Sequence, residues 1–416
     1  MENFSLILAI VVVTALAFDF TNGFHDTANA MATTISTGAL KPKIAVAMSA
    51  VLNLVGAFLS VEVAKTISSG LIDENGIRPE VIFAALVGAI LWNLVTWLVG
   101  LPSSSSHALM GGLIGAAVAT AGTGAVHAGV LVTKVIIPAV AAPLVAGIAA
   151  AVAARFTYAA GRGNADTRAA RKGYRAGQIA SAALVSLAHG TGDAQKTMGI
   201  VTLALVTGGV LAPGSNPPTW VILSAGLAMA LGTYIGGWRI IRTMGKGLTD
   251  LQPQQGFVAQ TSAATVLLAS SHLGFSLSTT HAVTGSVMGA GLGRKGGVVR
   301  WSTAGRMSLA WVLTLPAAAL VGAGAEKVTE LGDAGTAVIA VFLVAASAGI
   351  WLLSRRQVVN AANVNDVDEP AGVVTTAIAA VTPPPPGTVA EELASTTAAP
   401  APVPAADPAT PPAATV

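Results

Sequence analysis

Two aspartates stand in stretches of chain that are otherwise apolar: Asp26 within Phe20-Thr-Asn-Gly-Phe-His-Asp-Thr-Ala-Asn-Ala-Met-Ala, and Asp193 within Leu187-Ala-His-Gly-Thr-Gly-Asp-Ala-Gln-Lys-Thr-Met-Gly. A carboxylate inside hydrocarbon costs about 2.5–3.5 kcal/mol on insertion scales, so each needs a partner or a watery cavity. Such groups can accept the hydroxyl protons of a partly protonated oxyanion, hold a coupling cation, or take up a proton. A purely structural pair, bonded to backbone and hydroxyls, is the plainer alternative. Gly23, Asp26 and Met31 align with Gly190, Asp193 and Met198.

A second pair of motifs repeats the pattern. Ser103, Ser104, Ser105 and Ser106 follow Pro102, and the run Ser-Ser-Ser-His-Ala-Leu (104–109) matches Ser-Thr-Thr-His-Ala-Val (278–283), with Gly111 and Gly115 falling on Gly285 and Gly289. The offsets are 167 residues (26 to 193) and 174 (107 to 281), and two motifs recurring in order at near-equal spacing indicate duplication. Hydroxyls donate to phosphoryl oxygens without the desolvation cost of full charges. A helix opening at each cluster aims free amides and a positive dipole end at the same anion. N-capping needs one hydroxyl, whereas here Ser103–Ser106 and Ser278, Thr279 and Thr280 form runs.

His25, His107, His189 and His281 lie in or beside these motifs. His107 and His281 suit either a proton relay near neutral pH or a bond to a carbonyl; His25 and His189 do not align and read as structural. No ligand spacing marks a metal site. One position breaks the symmetry, because Asn29 becomes Lys196. If Asp26 and Asn29 hold a cation in one half, the Lys196 ammonium can stand in for it in the other. Alternatively Lys196 binds the anion or pairs with Asp193.

The elements that must carry these residues are membrane helices. Of 416 residues, 53% are hydrophobic and only 10% charged, against about 25% charged in an average soluble domain, which excludes the soluble enzyme classes. The lack of cysteine removes disulfides, thiolate metal sites and a cysteine nucleophile. Neither a G-x-S-x-G elbow nor an H-E-x-x-H helix is present, so an intramembrane hydrolase is disfavoured and no enzymatic activity or resident cofactor is expected. The net charge of +3 resides in short loops rather than on a patch interleaved with aromatics, so no nucleic-acid partner is expected.

Apolar stretches occur at about 4–40, 43–64, 80–101, 104–122, 128–154, 177–207, 219–238, 257–276, 278–293, 306–324 and 335–354. The reading is an all-α polytopic membrane protein of about 10–12 membrane segments, eleven in the simplest count. The first and sixth stretches are long and carry Asp and Gly, and the fourth and ninth are short, so these four are expected to be broken or re-entrant. Placing the basic loops inside puts the amino terminus outside and the tail in the cytoplasm, with 62–80 and 326–333 outside. The two motif copies then run in opposite directions, the pattern of an inverted-repeat secondary transporter with a midplane site. The boundaries expected are a first repeat at 1–155, a basic cytoplasmic loop at 156–176, a second repeat at 177–324 and an additional span at 325–356. Residues 357–416 hold 11 of the 21 prolines and no Lys or Arg and are expected to be disordered.

The motif Gly23-Phe-His-Asp-Thr-Ala-Asn-Ala resembles the repeated Gly-x-x-Asp-x-x-Asn-Ala signature of the PiT inorganic phosphate transporter family, and Ala188-His-Gly-Thr-Gly-Asp-Ala-Gln-Lys-Thr-Met-Gly resembles its bacterial second copy. The Ser/Thr-rich His-Ala motifs strengthen the likeness, which covers roughly residues 1–354. It implies a symporter for inorganic phosphate in the plasma (inner) membrane, lipid-embedded and often a homodimer. It also implies that Asn22, Asp26, Asn29, Asp193 and the hydroxyl clusters contribute to the phosphate and coupling-ion sites. Members use protons or sodium, and some carry a metal-phosphate complex, with Mg²⁺ as an example, or sulfate. Likeness to bacterial members with Lys at position 196 points to proton coupling and a metal-phosphate substrate.

Overall fold

The computed structural model describes residues 5–62, 64, 77–160, 167–272 and 277–366. Among the described residues the chain is helical, with one isolated bridge between Thr249 and Val299. The helices are α1 (Leu6–Ser36), α2 (Pro42–Ala57), α3 (Pro79–Leu98), α4 (Ser105–Ala121), α5 (Ala128–Ala160), α6 (Arg168–Thr207), α7 (Thr219–Ile235), α8 (Trp238–Gly247), α9 (Pro253–His272), α10 (Thr279–Gly293), α11 (Trp301–Thr329) and α12 (Asp333–Ser354).

Length and hydropathy alone qualify α1, α3, α5, α11 and α12 as membrane spans, and α7 with α8 as one bent span. The expected eleven stretches therefore differ in kind. α2, α4 and α10 have only 16, 17 and 15 residues. α6 is long enough but buries Gln178, His189, Asp193 and Lys196. α4, α10 and the second half of α6 are largely enclosed by neighbouring helices, whereas α12 keeps Val338, Val341, Phe342 and Val344 exposed as hydrocarbon-facing surface.

Packing follows the duplication. α1 packs on α7 and α6 on α2; α4 packs on α11 and α10 on α5. The glycines after each His-Ala motif allow the second pair of contacts. A Cβ on Gly115 would lie 1.9 Å from the Ala319 carbonyl oxygen of α11, and one on Gly289 equally close to that of Gly147 in α5. Small residues at such crossings let backbones meet, which drives helix association where the hydrophobic effect does not.

Several expectations are corrected. α1 and α6 are unbroken over 31 and 40 residues, because Asp26, Asn29 and Lys196 find side-chain partners on other helices and leave the main-chain bonds intact. The sharp bend, 59°, lies instead between α7 and α8, at Gly236 with φ of 77°. The basic segment 156–176 is largely helical, since α5 reaches Ala160 and the Thr167 side chain caps α6 by accepting from the Ala170 N–H. Residues 161–166 between them lie outside the described residues, as do most of 62–80. The acidic stretch at 326–333 begins inside α11, where buried Glu326 meets Arg78 at 3.3 Å and Thr120 at 2.9 Å.

The expected tail also starts later. Arg239 donates to the Ser354 carbonyl at 2.7 Å and to the Gln357 carbonyl, Arg242 donates to the Asn363 carbonyl at 2.9 Å, and Val364 is buried. Two guanidinium groups thus satisfy carbonyls left free at and beyond the end of α12. Residues 367–416 lie outside the described residues.

Candidate functional site

Helical spacing gathers the polar groups before any tertiary contact forms. Asp19, Asn22, Asp26 and Asn29 recur at i, i+3, i+7 and i+10 on α1, one face of the helix. His189, Asp193, Lys196 and Thr197 form the matching stripe on α6. All eight are buried. The signature glycines seat these helices: a Cβ at Gly23 would lie 2.3 Å from the Met229 carbonyl oxygen of α7, and one at Gly190 2.3 Å from that of Asn53 in α2.

Asp26 is the meeting point of the two halves. Its Oδ2 accepts the Ser105 hydroxyl at 3.2 Å, and its Oδ1 lies 3.0 Å from His25 Nδ1 and 3.4 Å from the Thr280 hydroxyl. The Thr280 hydroxyl is also 3.0 Å from the Ser103 carbonyl. Asn29 Nδ2 donates to Thr280 at 3.0 Å and to Thr279 at 3.3 Å. His189 Nε2 bridges the carboxylates, 2.9 Å from Asp193 Oδ2 and 3.7 Å from Asp26 Oδ2. Lys196 Nζ closes the chain by donating to Asp193 and to Ser106.

The hydroxyl runs divide their tasks. Ser104 and Ser278 are the N-caps, accepting from the His107 and His281 amides at 3.3 and 3.4 Å. Ser103 bonds to Thr96 at 2.9 Å and faces His25 Nε2 at 3.3 Å. That leaves Ser105, Ser106, Thr279 and Thr280, at the first turns of α4 and α10, turned toward the carboxylates, Asn29 and Lys196. The N-termini of two short helices therefore converge, amides and hydroxyls together, on one buried cluster.

His107 and His281 pair with each other, ring centroids 5.0 Å apart, rather than bonding a carboxylate. His281 Nδ1 lies 3.1 Å from the Ala139 carbonyl, and its ring lies 4.3 Å from that of Trp311, which donates to the Pro102 carbonyl at 3.0 Å. Asn22 stands apart from the cluster, beside Asp19. His25 and His189, read from the sequence as structural, both contact Asp26. Their failure to align concealed this, since they reach it from different helices. Asp19 escaped notice although its three- and seven-residue spacing from Asn22 and Asp26 announces the same face.

The ligand atoms of Asp26, His189 and Asp193 lie within 4.8 Å of one another, a grouping that invites a metal. The set does not fit one. The Lys196 ammonium already binds Asp193 from the adjacent side, and a divalent ion there would face a positive charge across a few ångströms.

The family model described as "Phosphate transporter family" matches residues 22–322. The chain belongs to the phosphate transporter family. It is 56% identical over 363 residues to a probable low-affinity inorganic phosphate transporter of Mycobacterium bovis, covering 86% of this chain and 87% of that one. Proteins of the same description from Rhizobium meliloti and Bacillus subtilis are 45% and 42% identical, over 77% and 78% of this chain and 95% and 97% of theirs. A solved structure titled "The sodium-dependent phosphate transporter" has the same fold, with a TM-score of 0.70 at 23% identity, covering 79% of this chain and all of that one. The family member described here is accordingly a multi-pass membrane transporter, not an enzyme.

Proposed function

We propose that this chain imports inorganic phosphate across the inner membrane by proton-coupled symport, alternating access around one central site between two inverted repeats. The observation that supports this most directly is the convergence of Ser105, Ser106, Thr279 and Thr280 on the buried Asp26–His189–Asp193–Lys196 chain. Hydroxyls, amides and the ammonium supply donors to phosphate oxygens. The carboxylates of Asp26 and Asp193 accept the hydroxyl protons that dihydrogen phosphate carries and sulfate lacks, which favours phosphate over sulfate.

Proton rather than sodium coupling is supported by two features. Sodium sites in inverted-repeat transporters recruit carbonyls from unwound helix, whereas α1 and α6 run continuously through the site. Lys196 moreover supplies a fixed positive charge where the first half has Asn29. The same charge disfavours a divalent metal travelling beside Asp193, which favours free phosphate over the metal-phosphate complex expected from the resemblance. The test is accumulation of labelled phosphate by proteoliposomes under an inward proton gradient, with and without Mg²⁺. Accumulation independent of Mg²⁺ and resistant to excess sulfate is expected; a strict Mg²⁺ requirement or full inhibition by sulfate would refute the substrate assignment.

A further inference from the structure

Asp19 lies seven residues before Asp26 on the same face of α1, about 10 Å along the helix axis. It is wholly buried, and neither carboxylate oxygen has a donor within full hydrogen-bond distance, the side chains of Thr197 and Asn22 being the polar groups turned toward it. Two further buried oxygens around it are also unpaired, Oδ1 of Asn22 from the same helix and Oγ1 of Thr197 from α6. Both residues approach the carboxylate, and the charged groups that act on it are Asp193 and His189, on α6. Four oxygens, three of them acceptors only, meet in one buried place, and among the described residues no cation stands in ion-pair contact with Asp19.

We propose that Asp19 is a proton-binding site of the transport cycle, loaded before the central site and separate from it. This rests on the proton-coupled reading above. Left ionised, Asp19 would set a second negative charge near that of Asp193 with only neutral side chains beside it, at a desolvation cost that buried carboxylates rarely bear alone. One proton resolves the whole group. The acid O–H donates to Asn22 Oδ1, and the Thr197 hydroxyl donates to the remaining Asp19 oxygen. A sodium ion fits less well, because the main-chain carbonyls of α1 and α6 there are engaged within continuous helices. The place along the helix matters too: Asp19 is nearer the amino terminus than Asp26, on the side that the loop charges assign to the outside. Asp193 and His189 are the charged groups that act on Asp19, so a proton taken up there is felt at the phosphate site.

The test uses the full chain in proteoliposomes and separates coupling from substrate exchange. Wild type, Asp19→Asn and Asp19→Glu are compared for phosphate accumulation at steady state under an inward pH gradient, and for exchange of labelled against unlabelled phosphate without a gradient. Asp19→Asn is expected to exchange phosphate but to lose accumulation by about tenfold for each pH unit of gradient and each proton no longer carried. Its exchange should keep only the pH dependence set by the protonation of phosphate itself, and Asp19→Glu should restore both properties. Undiminished proton-driven accumulation by Asp19→Asn would overturn the proposal. So would loss of exchange by a monodisperse Asp19→Asn protein, since the carboxyl would then serve the anion, or a sodium requirement that disappears in Asp19→Asn. If wild type itself ignores the proton gradient, the coupling assignment above has failed instead.

Discussion

Asp26, His189, Asp193 and Lys196 form one connected chain, so the loss of any member leaves a buried neighbour without its partner. Asp26→Asn and Asp193→Asn are each expected to abolish phosphate uptake while the protein remains monodisperse; normal uptake by either would remove the carboxylates from the mechanism. Lys196→Met should cost about 3–5 kcal/mol, the usual result of stripping one partner from a buried ion pair. Pairing it with Asp193→Leu should return much of that stability, read as a thermal shift, without returning uptake. At this scale much was legible beforehand. The aligned aspartates, the hydroxyl runs and the exchange of Asn29 for Lys196 all pointed to one site. Which serine caps and which faces the carboxylates was not legible, because Ser104 and Ser105 are the same residue type and only the helix start, set by packing against α3 and α11, separates them. The contacts of His189 were not legible for a related reason, since it lies between Asp26 and Asp193 on two helices, a position that no alignment of one with the other displays.

At the scale of helices, the repeated motifs place glycine where backbones must touch. Gly115→Val and Gly289→Val are each expected to lose folded protein, seen as aggregation in size-exclusion profiles, because the carbonyls of Ala319 and Gly147 stand where the side chain would go. A mild effect in both would mean that α4 and α10 can move off their long partners. Hydropathy located nearly every helix within a few residues, but it predicted breaks in α1 and α6 that are absent. An aspartate in an apolar run signals either an unwound helix or a polar neighbour, and the sequence of one helix does not contain its neighbour. The true bend, at Gly236, follows a run whose composition gave no reason to prefer it.

For the whole molecule, the carboxy-terminal segment joins the fold through Arg239 and Arg242, which bind carbonyls at Ser354, Gln357 and Asn363. Ending the chain after Arg356 should therefore lower the melting temperature, whereas ending it after Asp366 should not; equal stability of the two would show that these bonds contribute little. Composition placed the start of the tail at 357 because it registers prolines and charge but not the two arginines, far away in the chain, that fasten the first ten residues. The matched packing of α1 on α7 and α6 on α2, and of α4 on α11 and α10 on α5, gives a site built equally from both halves, which is what alternating access requires. On the proposed function, protons drive phosphate inward through this site. The direct measurement is phosphate accumulation in proteoliposomes given an inward proton gradient without sodium, and in parallel an inward sodium gradient at equal pH, each with and without a protonophore. Accumulation is expected in the first case alone, collapsed by the protonophore. Accumulation driven by sodium alone and indifferent to the protonophore would contradict the proposed coupling.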